Sequence, residues 1–340
     1  MAVLGGTVLT LADITARQDP NGMPAMIAEQ LHQAAPILDD IPWVQGNLMT
    51  GHRSAIRTGI PAPTKRRLNT GVASTKSTVS QVMDSLTLLE AHSEVDVKLL
   101  EIAGDPGAYR RQEAAAIVEG FAQEVTRQLI YGDPALDELE FQGLKPRFNT
   151  LGTQVISGGS GDADVQSSIY LVGWGTNTVF GIYPKNTVAG LQHHDMGEQL
   201  VPTATTSAIG TAKMRAFVDV FTWDCGLVVK DPRYVVRIAN VRASEALSMT
   251  EEQELTDYGT NMLFQMLEAT HRLHNRNNCK PVFYMPRSLV IAFDKQSLAR
   301  TSANVYLYNQ LTNTPETGLA FRGIPIKALD QMIYTEAVVS

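Results

Sequence analysis

The sequence predicts an α+β fold, and three observations lead there. A long amphipathic helix occupies residues 105–131. Short strand-like runs at 168–183, 217–241 and 282–285 are interleaved with helices, with no regular βαβ repeat. A polar, basic stretch at 51–76 stands apart from all of these and has no apolar pattern dense enough to form a core.

The composition sets outer limits. The chain has 340 residues, 44% of them hydrophobic, enough for a substantial core. Its net charge of −7 argues against a dedicated nucleic-acid binder, which carries a basic face. The two cysteines, Cys225 and Cys279, lie far apart, so neither a disulfide framework nor a zinc spacing is expected, and a reducing compartment fits. No apolar run is long enough to span a membrane. The apolar residues 1–10 lack the basic flank of a signal peptide. The expectation is a soluble chain that folds inside a cell.

Residues 1–40 mix short apolar pieces with polar turns. Pro20, Asn21 and Gly22 break the segment, and residues 25–35 are expected to form a short helix. The segment reads as an extension that docks on another surface. Residues 50–60 and 72–83 read as weak, polar strands flanking Pro61-Ala62-Pro63. Between Gly51 and Lys76 the chain carries Arg53, Arg57, Lys65, Arg66, Arg67 and Lys76 and no acid. The next stretch has the opposite sign, with Asp84, Glu90, Glu94, Asp96, Glu101 and Asp105 against Lys98. A two-stranded arm is not stable by itself. A basic arm beside an acidic platform suits head-to-tail assembly, the arm of one copy lying on the platform of the next. Arg53, Arg57, Lys65, Arg66 and Arg67 are the candidate inter-subunit contacts. Aromatic residues for stacking on bases are missing from this stretch, which weakens a nucleic-acid reading.

The helix begins with Asp105 as N-cap and Pro106 at the first helical position. Ala114, Val118, Phe121, Val125 and Leu129 recur at spacings of three and four, Ile117 and Ala122 widen the stripe, and Gln128 lies off it. Gly132 and Pro134 end the helix. Its length is roughly 40 Å at 1.5 Å per residue. After it come Leu136 to Phe148 and the flexible turn 158–161, which is no phosphate loop because no Gly-Lys-Ser/Thr follows. Strands are predicted within 168–183 and 217–241, turning at Asp231-Pro232. A second helix is predicted over 250–273, with Thr250 and Gln253 as a capping box and Leu255, Met262, Leu263, Met266 and Leu267 as its buried stripe. A strand at 282–285, a helix from Arg287 to Leu298, and strands at 305–307, 321–326 and 332–339 complete the chain.

Little here points to chemistry. His193-His194-Asp195 has no third metal ligand at a suggestive spacing. His271 and His274 read as solvated residues near a helix C-terminus. Neither Gly-x-Ser-x-Gly nor Gly-x-Gly-x-x-Gly falls in a strand-turn-helix setting. No catalytic, metal or cofactor site is expected.

Several motifs together carry a family resemblance. They are Gly51-His52-Arg53 with Arg57, Gly59 and Pro61; Val95-Asp96 before the long helix; and Phe141-x-Gly143-Leu144 with Arg147-Phe148 after it. Further on come Trp174-Gly175-x-Asn177 through Pro184, Trp223-x-x-Gly226-Leu227 leading to Arg233 through Asn240, and Gly323-Ile324-Pro325-Ile326 with Asp330. In this order, from about Trp43 to Thr335, the chain resembles the major capsid proteins of tailed bacteriophages, with the HK97 shell fold.

The resemblance implies an N-terminal arm at 1–40 and an extended loop with flanking strands at 41–100. It implies a peripheral domain with a long spine helix at 101–150, and an axial domain with the remaining peripheral strands at 151–340. It implies a non-enzymatic shell protein that forms hexamers and pentamers around double-stranded DNA, found in the virion and, during assembly, in the host cytoplasm. A portal is implied. The chain starts without the long, charged helical leader that often acts as a built-in scaffold in this family, so a separate scaffolding protein is expected, and a cement protein is a possible further partner. The Lys–Asn cross-link of the family's type member is not matched. An encapsulin-type nanocompartment shell shares the fold, and a soluble hydrolase is the reading from another class.

Overall fold

The computed structural model describes residue 33 and residues 35–103, 106–159, 166–202, 213–242, 262–299 and 319–340. In chain order the elements are α1 (Ile37–Asp40), β1 (Trp43–Gln45), β2 (Gly51–Gly59), β3 (Thr78–Ser85), β4 (Thr87–Asp96), α2 (Val97–Ala103) and α3 (Pro106–Tyr131). They continue with α4 (Leu144–Arg147), β5 (Val155–Ser157), β6 (Gln166–Trp174), β7 (Val179–Tyr183), β8 (Gln192–Pro202), β9 (Lys213–Val229) and β10 (Val235–Arg242). The last are α5 (Met262–Arg272), β11 (Lys280–Met285), α6 (Arg287–Ala299), β12 (Ala320–Phe321) and β13 (Ile324–Ala328). The α+β expectation holds.

The chain divides into two units. The smaller takes Leu88–Glu124 and Gly190–Asp224, and the larger takes Ala34–Thr87, Val125–Ala189 and Cys225–Ser340. In the larger unit β6 is the central strand. It pairs antiparallel with β10 on one side, Val235 opposite Val172, and with β11 on the other, Phe283 opposite Leu171. Every residue of β6 is buried, so its Ile169-Tyr170-Leu171-Val172 run is continuous where a half-exposed strand would alternate. The strand β13 runs parallel to β11 and β5 parallel to β10. The short β7 is antiparallel to the end of β9 and parallel to β1. The helix α5 packs on β10 through its buried Met262, Gln265, Met266 and Ala269, and α6 packs on β13. Between Ile238 and Val241 the register of β10 shifts, and Asn240 there has φ 60°, a conformation asparagine tolerates. The short helix α1 is tied down by Asp40, which accepts from Tyr284 Oη at 2.6 Å and pairs with Lys327 at 2.7 Å.

In the smaller unit β8 and β9 form a long antiparallel pair, with a register shift between Asp195 and Glu198 and Gly197 at φ 70°. The strand β4 lies beside β9. Val95, Leu100 and Tyr109 make a small core against Leu99 and Phe217.

Several expectations are corrected. The long helix buries Phe121, Val125 and Leu129 as predicted, but Val118 is 42% exposed, while Thr126, Gln128 and Ile130 are buried. The reason is that residues 125–131 belong to the core of the larger unit and are enclosed on more than one side, so polar positions are taken in with the stripe. Residues 72–77 are not strand, and β3 starts at Thr78. Residues 332–339 form no strand; an isolated bridge from Glu336 to Gln166 is all the pairing they make. Asp84 is no part of an open acidic platform, because it is buried in an ion pair with Arg147. The Asp105 cap, the start of the second helix with Thr250 and Gln253, the strand at 305–307 and nearly all of the helix predicted at 25–35 lie outside the described residues; Gln33 and Ala35 are not helical.

Candidate functional site

The five predicted contact residues sit on one structure, the hairpin of β2 and β3. Its register runs from Gly51 opposite Ser85 to Gly59 opposite Thr78. Thr58 and Thr78 share a hydroxyl–hydroxyl bond of 3.2 Å, and the Asn47 side chain brackets Arg53 by bonding both its N–H and its carbonyl at 2.8 Å. The connection between the strands, residues 60–77, is exposed throughout. Arg53 and Arg57 are exposed on β2, and Lys65, Arg66 and Arg67 on the connection; none of the five makes an ion pair among the described residues. Ile60 and Leu68 stand 85% and 94% exposed beside them. Burying either would gain free energy that the single chain leaves unrealised.

The root of the hairpin is the opposite case. Gly51 has no room for a side chain, since a Cβ there would meet Asp84 O at 2.2 Å. Asp84 Oδ1 accepts from Arg147 at 2.7 Å, and the same guanidinium donates to the carbonyls of Gln142 and Leu227. His52, opposite Asp84 in the ladder, makes a T-shaped contact with Phe180, the ring centroids 5.6 Å apart. Burial holds its imidazole below the ordinary 6.5, Asp84 pulls it up and Lys230 pushes it down. A histidine held low binds its proton less readily folded than unfolded. Its contribution to stability is therefore fully present above about 6.5 and is lost as the pH falls through the folded value. Between about pH 7 and about pH 5 the thermal midpoint should drop more steeply for the native chain than for His52→Gln. Equal slopes would show that His52 is not the titrating group.

Two further histidines have defined neighbours. His193 stacks on Phe221 at 4.6 Å, and its Nε2 lies 2.8 Å from Asp219 Oδ1. Asp219 is bound in turn by Arg110, which also pairs with Asp195 and lies over the Phe217 ring at 5.0 Å. His271 is exposed in the last turn of α5, with Arg322 3.2 Å away. Among the described residues no three His, Cys, Asp or Glu side chains are grouped to hold a metal.

The acidic stretch that follows the arm is largely engaged within the chain. Glu90 meets His92, Glu101 meets Lys98, and Asp96 accepts from the Lys98 N–H. A different acidic element was not singled out in the sequence. Residues 133–140 form a tight turn after α3, in which Leu136 and Leu139 stand 88% and 73% exposed among Asp133, Asp137 and Glu138. The run Leu136-Asp137-Glu138-Leu139 was the available signal.

A solved structure of bacteriophage epsilon15 superposes on the whole chain with a TM-score of 0.77 and 28% identity, covering 100% of this chain and 99% of that one. The capsid of bacteriophage JBD30 gives 0.49 at 10% identity, over 95% and 99% of the two chains. An encapsulin from Synechococcus elongatus gives 0.47 at 13%, over 74% and 99%. These last two likenesses are too distant to argue from. No curated protein matches the sequence. The fold is thus of the HK97 type found in tailed-phage capsids. The family model for the major capsid protein GP7 matches residues 19–340, and the chain belongs to that family. Its role is to build a phage capsid.

Proposed function

We propose that the chain assembles with copies of itself, as pentamers and hexamers, into an icosahedral shell that encloses double-stranded DNA, and that the β2–β3 hairpin ties each copy to a neighbour. The observation that carries this reading is the hairpin itself. It is long, polar and exposed, with cations and the exposed apolar side chains of Ile60, Leu68 and Val72 at its end and no core of its own. A two-stranded ribbon of that kind is at best marginally stable alone. A net charge of −7 is compatible with enclosing DNA without reading its sequence. We assign the chain no catalytic role, and propose a separate scaffolding protein and a portal as assembly partners in the host cytoplasm.

The test is charge reversal. Exposed pairs are worth only about 0–1 kcal/mol each, so the effect is collective and weakens with salt. Arg66→Glu with Arg67→Glu should lower the yield of shells seen by electron microscopy while leaving the thermal midpoint of the subunit unchanged. Normal shells from that double variant at physiological salt would remove the hairpin from the assembly contacts.

A further inference from the structure

We propose that the turn at residues 133–140 is the receptor for the hairpin tip of a second copy of this chain, an inference that rests on the assembly reading above. The turn exposes two leucines, and its own bonds prevent them from retreating. Asp133 Oδ1 accepts from the Ala135 N–H and Asp137 Oδ1 from the Leu139 N–H, each at 3.0 Å. Glu140 accepts from the Asp133 N–H at 3.1 Å and pairs with Arg127. The Thr87 hydroxyl donates to Leu139 O and accepts from the Phe141 N–H, both at 2.9 Å. A fixed turn that holds Leu136 and Leu139 in water is a surface prepared for a partner, since mobile leucines would fold back onto the body.

Charge selects the partner. Residues 133–140 contain four acids and no cation, and residues 51–76 contain cations and no acid. Glu140 is held by Arg127, while Asp137 and Glu138 are exposed between the two leucines. On the hairpin's connection Arg66 and Arg67 directly precede the 94%-exposed Leu68, and Ile60, where the chain leaves β2, is 85% exposed. An acidic pair flanked by leucines thus faces a basic pair followed by a leucine. Among the described residues of one chain, no hydrogen bond or ion pair joins the tip to the turn. The complementary partner is therefore the tip of another copy. Of the acids nearer in sequence to the hairpin, Asp84 is buried in its pair with Arg147 and is closed to a partner.

The experiment is a charge exchange read by shell yield. Arg66→Glu/Arg67→Glu and Asp137→Lys/Glu138→Lys should each lower the yield about tenfold, the equivalent of losing ~1.4 kcal/mol per contact. The four substitutions together should restore most of it. In parallel, Leu68→Cys with Leu136→Cys, in a Cys279→Ser background, should form disulfide-linked multimers in shells under mild oxidation and none in the dissociated subunit. Failure of the combined variant to recover, with no cross-link in shells, overturns the receptor assignment and leaves the assembly reading standing. Absence of shells from the native chain under all conditions overturns both.

Discussion

Replacing Arg237 by Ala is expected to destabilise the subunit by about 3–5 kcal/mol, the cost of leaving a buried charge without its partner. Arg237 is fully buried and Glu336 is 1% exposed. The guanidinium meets Glu336 Oε2 at 2.8 Å, Ser168 Oγ at 3.0 Å and the Phe148 carbonyl at 2.7 Å. The other oxygen of Glu336 accepts from Tyr131 Oη at 2.9 Å. Burial, reinforced by Glu336, pushes the Tyr131 hydroxyl well above the ordinary tyrosine range, so it stays protonated and continues to donate. This cluster joins α3, β6, β10 and the last residues of the chain. Asn240 adds a second tie, exchanging two hydrogen bonds with the Val339 backbone. Thermal unfolding followed by circular dichroism measures the loss. Replacing both partners, Arg237→Met with Glu336→Leu, should recover much of it, because no charge is then left buried. An unchanged midpoint for Arg237→Ala would mean that the C-terminal segment is not held by this pair.

Phe121→Ala is the second large effect, expected at about 3–5 kcal/mol for loss of a buried aromatic ring. Phe121 is 7% exposed on the long helix. With Ile117 and Gly120 it lines one side of a groove of about 310 Å³, whose other side is Leu89, Glu90 and Ala91 of β4. Removing the ring enlarges an existing opening, so the neighbours have little to collapse onto. A midpoint and soluble yield equal to the native chain's would show that this helix face contributes no core.

What was legible in the sequence followed from periodicity. Helix α3, the β6–β7 block, β9–β10 and β11–α6 were placed because their apolar residues repeat at helical or strand spacing. Strand β4 was missed because its pattern is disguised: Thr87 and Ser93 are buried while Leu88 is 72% exposed. Strand β8 was missed because it is polar on both faces, His193-His194-Asp195 included, and exists as a strand by pairing with β9. The acid-free basic run marked the exposed hairpin correctly. Of the acids that follow the hairpin in sequence, Asp84 is buried against Arg147 and Glu101 lies beside Lys98, pairings that come from the fold and that the charge pattern alone does not show. The exposure of Leu136 and Leu139 in the turn at 133–140 was equally hidden, because exposure is set by tertiary structure.

Limited digestion with trypsin tests the central claim most directly. Ordering the hairpin costs about 1–2 kcal/mol per residue in backbone entropy, and residues 60–77 bury too little within one chain to offset it. Free subunits should be cut quickly at Lys65, Arg66, Arg67 and Lys76, and assembled shells should resist at the same bonds. Equal protection of the free subunit and the shell would contradict the account, since the hairpin would then take its order from its own body and not from a neighbour.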